Sequence, residues 1–246
     1  MFFLDRKDVC VVNLINDKMF FNFMRLYLSG GGSGEDTAEL DRKFASAISK
    51  SKPLLYIPIA MDEKRHSYPE CFEWLKKTFN PLGIDKIEMW TEKDLRENRE
   101  AELEKFSGVY VGGGNTFYLL KELKDSGFLP KLERLIKKDV PFYGGSAGAL
   151  ICARTIIPAL AIDPNDVKLK DFDTMNFVRG YDLWVHYEPT QNKKIQNYKE
   201  KHNLNLIALP ENTGIFVTEK AIEVVGPGFA YLPNKKMKEV KPGHKI

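Results

Sequence analysis

Apolar runs of strand length alternate with segments of helical spacing through the first 150 residues. "MRLYLS" (24–29) has the pattern of a buried strand and runs into "GGGSG" (30–34); residues 36–50 follow with apolar positions at helical spacing. "PLLYIPIA" (53–60) predicts a second strand. "SYPECFEWLKKTFNPLG" (67–83) opens on serine and proline and closes on Gly83, which is how helices are punctuated. "KIEMW" (86–90) predicts a third strand, "EKDLRENREAELEKF" (92–106) a polar helix, and "GVYVGGG" (108–114) a fourth strand. Helices are predicted over 115–127, with Asn115 as N-cap, and over 130–139. "VPFYGG" (140–145) is a fifth strand, and 147–154 starts another helix. Beyond residue 160 the pattern changes to strands and hairpins: "YDLWVHY" (181–187), "LNLIALP" (204–210), "GIFVTEKAIEVVG" (214–226) and "FAYLP" (229–233).

Strands and helices alternating at this rhythm imply an α/β fold with a mainly parallel sheet and helices on both faces. Neither a linker nor an internal repeat interrupts residues 24–246, which read as a single domain. Residues 1–23 fit the rhythm poorly. They are either an additional element or an upstream extension of a chain whose natural start is Met24.

Composition narrows the function classes. Hydrophobic residues make up 43% and charged residues 29%, an ordinary balance for a globular chain. The net charge of +3 comes with no stripe of lysine and arginine interleaved with aromatics, so nothing marks a nucleic-acid surface. Cys10, Cys71 and Cys152 show no metal-ligand spacing, and a sparse, odd count is expected of thiols in a reducing compartment, hence the cytoplasm. Asp5, Arg6, Lys7 and Asp8 break any signal-peptide core, and no apolar run reaches membrane-spanning length. The four histidines are scattered and pair with no ligand-spaced carboxylates, so neither a metal nor another cofactor is expected. No pattern sets an oligomeric state.

In an open parallel sheet, ligands bind beyond the carboxyl ends of the strands. Three predicted strands end there in glycine: Gly30–Gly32, Gly112–Gly114 and Gly144–Gly145. Each alone would be a tight turn; three together suggest a shared crevice. A dinucleotide site fails on spacing, because "GGGSGE" puts Glu35 where the third glycine of GxGxxG belongs, and no GK[ST] follows any of the three. "GGSAG" (144–148) instead matches GxSxG, the strand-to-helix turn that exposes a serine hydroxyl. Small neighbours are required because the serine backbone is strained and side chains two residues away on either side would collide. Ser146 is thus a candidate nucleophile, with the amide of Ala147 aimed at a developing oxyanion and a second amide drawn from the "GGGN" loop.

A serine nucleophile needs a base, and the base needs an orienting group. His66, His202 and His244 lie in polar surroundings; His186 alone sits in an apolar run and is the preferred base. Among the carboxylates, Asp163 ends the apolar run "ALAID" and ranks first as orienter, with Glu188 second. The rival reading is a binding module of the same fold, in which the crevice holds a small anion or metabolite and Ser146 donates a hydrogen bond.

"YVGGGNTFYLLKELKDSG", "PFYGGSAGALI", "WVHYEP", "LIALPENTGIFV" and the closing "PGH" resemble the dipeptidase E family, the α-aspartyl dipeptidases and their cyanophycinase-like relatives, from about residue 24 to the end. The resemblance implies a class I glutamine-amidotransferase-like, flavodoxin-like fold with a serine in place of that fold's cysteine. It implies a cofactor-free serine peptidase acting on short peptides, with Ser146 as nucleophile, His186 as base, Asp163 as acid, and Gly113 or Gly114 with Ala147 as the oxyanion hole. Asn115 and Thr116 fall in the matching motif beside the substrate. The family's aspartyl dipeptidases hold an acidic substrate side chain with basic residues. Here the segment after His186 offers Lys193 and Lys194, opposed by Glu188, and the expectation is that Asp-X dipeptides are cleaved in preference to neutral ones.

Overall fold

The computed structural model describes residues 24–62, 66–97, 99–234 and 236–246. The alternatives for residues 1–23, and Cys10 with them, lie outside the described residues. The first half runs β1 (Leu26–Ser29), α1 (Ala38–Ala47), β2 (Leu54–Ile57), α2 (Tyr68–Phe79), β3 (Ile87–Met89), α3 (Glu92–Arg96), β4 (Gly108–Val111), α4 (Thr116–Asp125), α5 (Leu129–Lys137), β5 (Phe142–Gly145) and α6 (Ala147–Leu150). The second half runs β6 (Asp182–Trp184), α7 (Asn192–His202), β7 (Leu206–Ala208), β8 (Gly214–Val217), β9 (Ile222–Val225), β10 (Ala230–Pro233) and β11 (Met237–Val240).

β1 to β9, without β6 and β7, form a seven-stranded mixed sheet in the order β3-β2-β4-β5-β1-β8-β9. The first five strands are parallel to one another, while β8 and β9 run antiparallel. A smaller sheet, β11-β10-β7-β6, carries the rest, with β6 and β7 parallel. Strands buried on both faces must be apolar throughout, and every residue of β1, β2 and β4 is buried. Successive side chains point to opposite faces. Leu26, Leu28, Leu55, Ile57, Val109 and Val111 accordingly join the core under α4 and α5. Tyr27, Tyr56, Tyr110 and Tyr143 join the one under α1 and α2. The register aligns those four tyrosines across neighbouring strands: Tyr56 opposite Tyr110, Tyr110 opposite Tyr143, Tyr143 opposite Tyr27.

Most predicted elements come out shorter at their ends, and three change in a way that alters the reading. The polar helix expected over 92–106 is α3 followed by a 3-10 turn over Glu100–Lys105, because Glu97 leaves helical geometry at ψ 144. The helix expected over 147–154 stops at Leu150. The strand expected over 181–187 ends at Trp184, and His186 lies just beyond it with a left-handed φ of 51.

Candidate active site

Ser146 sits where β5 meets α6, with φ 48 and ψ −104, a backbone conformation that L residues avoid. Its flanking glycines show what the turn requires. A Cβ on Gly144 would fall 2.4 Å from the carbonyl oxygen of Gly148, across the turn. A Cβ on Gly148 would fall 2.2 Å from the carbonyl oxygen of Val111 on β4. The turn can therefore close only without side chains at either position.

The hydroxyl this turn presents has a partner. Ser146 Oγ lies 2.8 Å from His186 Nε2. His186 is held by its own amide, which donates to Gly30 O at 2.7 Å, and by Gly31, whose added Cβ would lie 2.4 Å from the imidazole. The glycines that end β1 thus leave room for the imidazole. The other ring nitrogen, Nδ1, lies 2.8 Å from Glu211 Oε1.

Glu211 is therefore the carboxylate on His186, and the expectation of Asp163 or Glu188 in that place is corrected. Glu211 follows β7, and β7 runs parallel to β6, so the residues after the two strands emerge side by side. The Tyr187 amide donates to Leu209 O, fixing that alignment next to both groups. Asp163 has a different task. Its Oδ2 accepts from the Thr116 amide at 3.0 Å and from the Thr116 hydroxyl at 2.6 Å. A carboxylate at the N-terminus of α4 satisfies an amide that the helix leaves unpaired and favours its dipole. Glu188 accepts from Thr190 and makes no bond to the imidazole.

Asn115 caps α4 as its sequence position suggests, accepting from the Tyr118 amide at 2.9 Å, and its side-chain amide donates to Pro164 O. With Asp163 on Thr116, these bonds pin the glycine loop from one side. On the other side, the amides of Gly112 and Asn115 donate to Ile57 O and Ala60 O. Between them, Gly113 packs against Ser146, and the Gly113 and Gly114 amides donate to no backbone carbonyl among the described residues. These two and Ala147, the first residue of α6, are the amides that border the serine. Asp163→Ala should loosen this clamp: we expect a loss of about 1–2 kcal/mol of stability in urea unfolding, the scale of a lost helix cap, with Ser146 still reactive.

Lys193 and Lys194 lie on α7, away from this crevice. Lys193 is exposed, and Lys194 donates to Ala161 O at 3.0 Å while its charge rests over the Trp184 ring. What lines the crevice instead is a cavity of about 410 Å³ that contains Ser146, His186 and the Gly112–Gly114 loop. Tyr56, Tyr110, Tyr143 and Trp74 supply an aromatic wall of that lining. Sequence reasoning missed Glu211 and this wall. The available signal for Glu211 was its place directly after the apolar run 204–210. Among the described residues no group of three or more His, Cys, Asp or Glu is placed to hold a metal ion.

Comparison with known proteins places the chain among peptidases. The model of peptidase family S51 matches residues 26–225. Peptidase E of Pasteurella multocida is 26% identical over 190 residues, covering 72% of this chain and 76% of that protein. A probable alpha-aspartyl dipeptidase of Drosophila melanogaster is 27% identical over 199 residues, covering 75% and 76%. A solved structure of a candidate peptidase E protein from Listeria monocytogenes superposes with a TM-score of 0.65 at 26% identity, covering 89% of this chain and all of that one. The chain belongs to peptidase family S51, and its enzymatic class is that of a serine peptidase.

Proposed function

We propose that the chain is a serine exopeptidase of short peptides in which Ser146, His186 and Glu211 act as a triad. The observation that carries this reading is the unbroken pair of 2.8 Å contacts from Ser146 Oγ through the imidazole to Glu211. Ser146 Oγ attacks the scissile carbonyl as His186 Nε2 takes its proton. Glu211 keeps the other proton on Nδ1 and stabilises the imidazolium that forms. The amides of Ala147 and of Gly113 or Gly114 hold the oxyanion. His186 then protonates the leaving amine, and a water molecule, deprotonated by the same imidazole, releases the acyl group.

The restriction to short peptides draws on the dipeptidase and peptidase E relatives and on a cavity of bounded size. The five parallel strands with the site at their carboxyl ends support a class I glutamine-amidotransferase-like arrangement, with Ser146 in the nucleophile's place. The buried thiols Cys71 and Cys152 suit a reducing compartment such as the cytoplasm; among the described residues no helix is long and apolar enough to cross a membrane. An Asp-X preference, which the name of the Drosophila relative invites, has no lysine or arginine to serve it among the described residues lining the cavity.

A fluorophosphonate probe tests the reading. It should label the intact chain at one serine, and dipeptide hydrolysis should be blocked in proportion. Both should persist in excess chelator, because the catalytic groups of this mechanism are side chains and backbone amides. A chain that neither labels nor hydrolyses any short peptide, or whose activity is lost to chelator and restored by zinc, would overturn the mechanism.

A further inference from the structure

We infer that the residue on the acyl side of the scissile bond carries an aromatic or large aliphatic side chain, seated against the tyrosine wall of the cavity. This rests on the peptidase reading above and adds the substrate class.

Direction comes first. β5, which presents Ser146, lies between β1 and β4. His186 is tied to the β1 side through Gly30, and the leaving amine must reach His186 to take its proton. The leaving group therefore departs toward β1. The acyl part faces the other way, over β4 and β2, where Tyr110, Tyr56 and Trp74 stand.

The rings at that end form a continuous aromatic wall. Tyr110 and Tyr143 stack at 4.6 Å and 15°, Tyr56 meets Tyr110 edge-on at 5.7 Å, and Trp74, 39% exposed at the rim, meets Tyr110 at 6.3 Å. Rings at these separations favour a further ring set edge-on or offset. Burial pushes the Tyr110 and Tyr143 phenols well above their ordinary pKa, so they stay neutral.

The charges nearby are unfavourable for an acidic side chain. Among the described lining residues, only the two histidines can carry positive charge, and His186 is engaged with Ser146 and Glu211. His66 stands beside Glu70, whose carboxyl is held below its ordinary pKa by the Ser67 amide and hydroxyl, with the His66 charge adding to this. Beneath the floor lies Asp41, only 4% exposed, accepting from Thr37 at 2.8 Å. An aspartate side chain entering here would give up water and, among the described lining residues, would find only His66 as an ion partner, which already stands beside Glu70. A lysine side chain gains little, because Glu70 Oε2 already accepts from both the amide and hydroxyl of Ser67, 2.8 and 3.0 Å away, at the start of α2.

The test uses diphenyl esters of aminophosphonates, which carry one chosen side chain and phosphonylate the serine as Oγ attacks phosphorus and phenol leaves. Phenylalanine, leucine, aspartate and lysine analogues are compared by rate of inactivation of the full chain, beside a generic fluorophosphonate. The phenylalanine analogue should react at least about tenfold faster than the aspartate and lysine analogues, a modest demand on an apolar pocket. Trp74→Ala should bring the phenylalanine-to-aspartate ratio toward one. An aspartate or lysine analogue that reacts as fast or faster overturns the inference. If the generic probe still labels Ser146 in that case, the substrate class alone is wrong. If no analogue reacts and the generic probe fails as well, the peptidase reading falls with the inference.

Discussion

Ser146→Ala should abolish hydrolysis, with kcat falling on the order of 10⁵- to 10⁶-fold, as when a nucleophile is removed from a working triad. The same variant should lose fluorophosphonate labelling. The fold should survive, because one hydroxyl is removed at a partly exposed turn whose backbone Ala can adopt at similar cost. Alanine has no larger Cβ than serine, so the left-handed conformation at this position is no more strained in the variant. Circular dichroism and a thermal melt would check that point. Retention of labelling would place the nucleophile elsewhere, and retention of more than a trace of hydrolysis on a cleaved peptide would do the same.

The second large effect is expected at Glu211. Glu211→Gln keeps the shape beside His186 but permits an amide N–H to face Nδ1, which leaves the proton on Nε2, where it cannot accept from Ser146. The comparable change in a buried triad lowers kcat about 10⁴-fold. Glu211 is 58% exposed, so water shares its work, and a loss of about 10²- to 10⁴-fold is expected, with KM little changed. Asp163→Ala is the control, since its carboxylate serves α4 rather than the imidazole. A greater loss of kcat from Asp163→Ala than from Glu211→Gln would return the orienting role to Asp163.

The contrast between these two carboxylates shows where local pattern stops. Ser146 stood out because glycine and alanine surround it, and His186 because its neighbours are apolar; both signals lie within a few residues. The only local signal for Glu211 is its place directly after the apolar run 204–210, and "LPEN" reads equally well as a strand followed by a turn. Its meeting with His186 is set by β6 lying parallel to β7, which is information about pairing between distant segments. Asp163 precedes the histidine and Glu188 follows it by two residues, whereas Glu211 lies 25 residues beyond it, just past the neighbouring strand of the smaller sheet. Asp163 attracted notice by ending an apolar run, a position that suits a helix clamp as well as a triad. Lys193 and Lys194 illustrate a different gap. Sequence spacing places them soon after His186, but α7 turns Ile195 into the cluster of Trp184, Leu204 and Leu206 and contributes no residue to the cavity lining among the described residues.

The fold class was more legible than the site. The five parallel strands followed from the alternation of apolar runs and helical spacing, and the mixed α/β sheet has that arrangement. The tyrosine wall was hidden in plain apolar strands. Tyr56, Tyr110 and Tyr143 each read as core residues, and only the register across β2, β4 and β5 brings them into one row.

That register also governs when the enzyme can act. β1, near the start of the described chain, lies between β5 and β8, so its pairing waits for residues far along the sequence. His186 leans on the end of β1, and Glu211 is the turn that leads into β8. Pairings of such long separation form late, because the chain between them must first be drawn in. A chain still emerging from the ribosome therefore carries its serine well before the base has its orienting carboxylate.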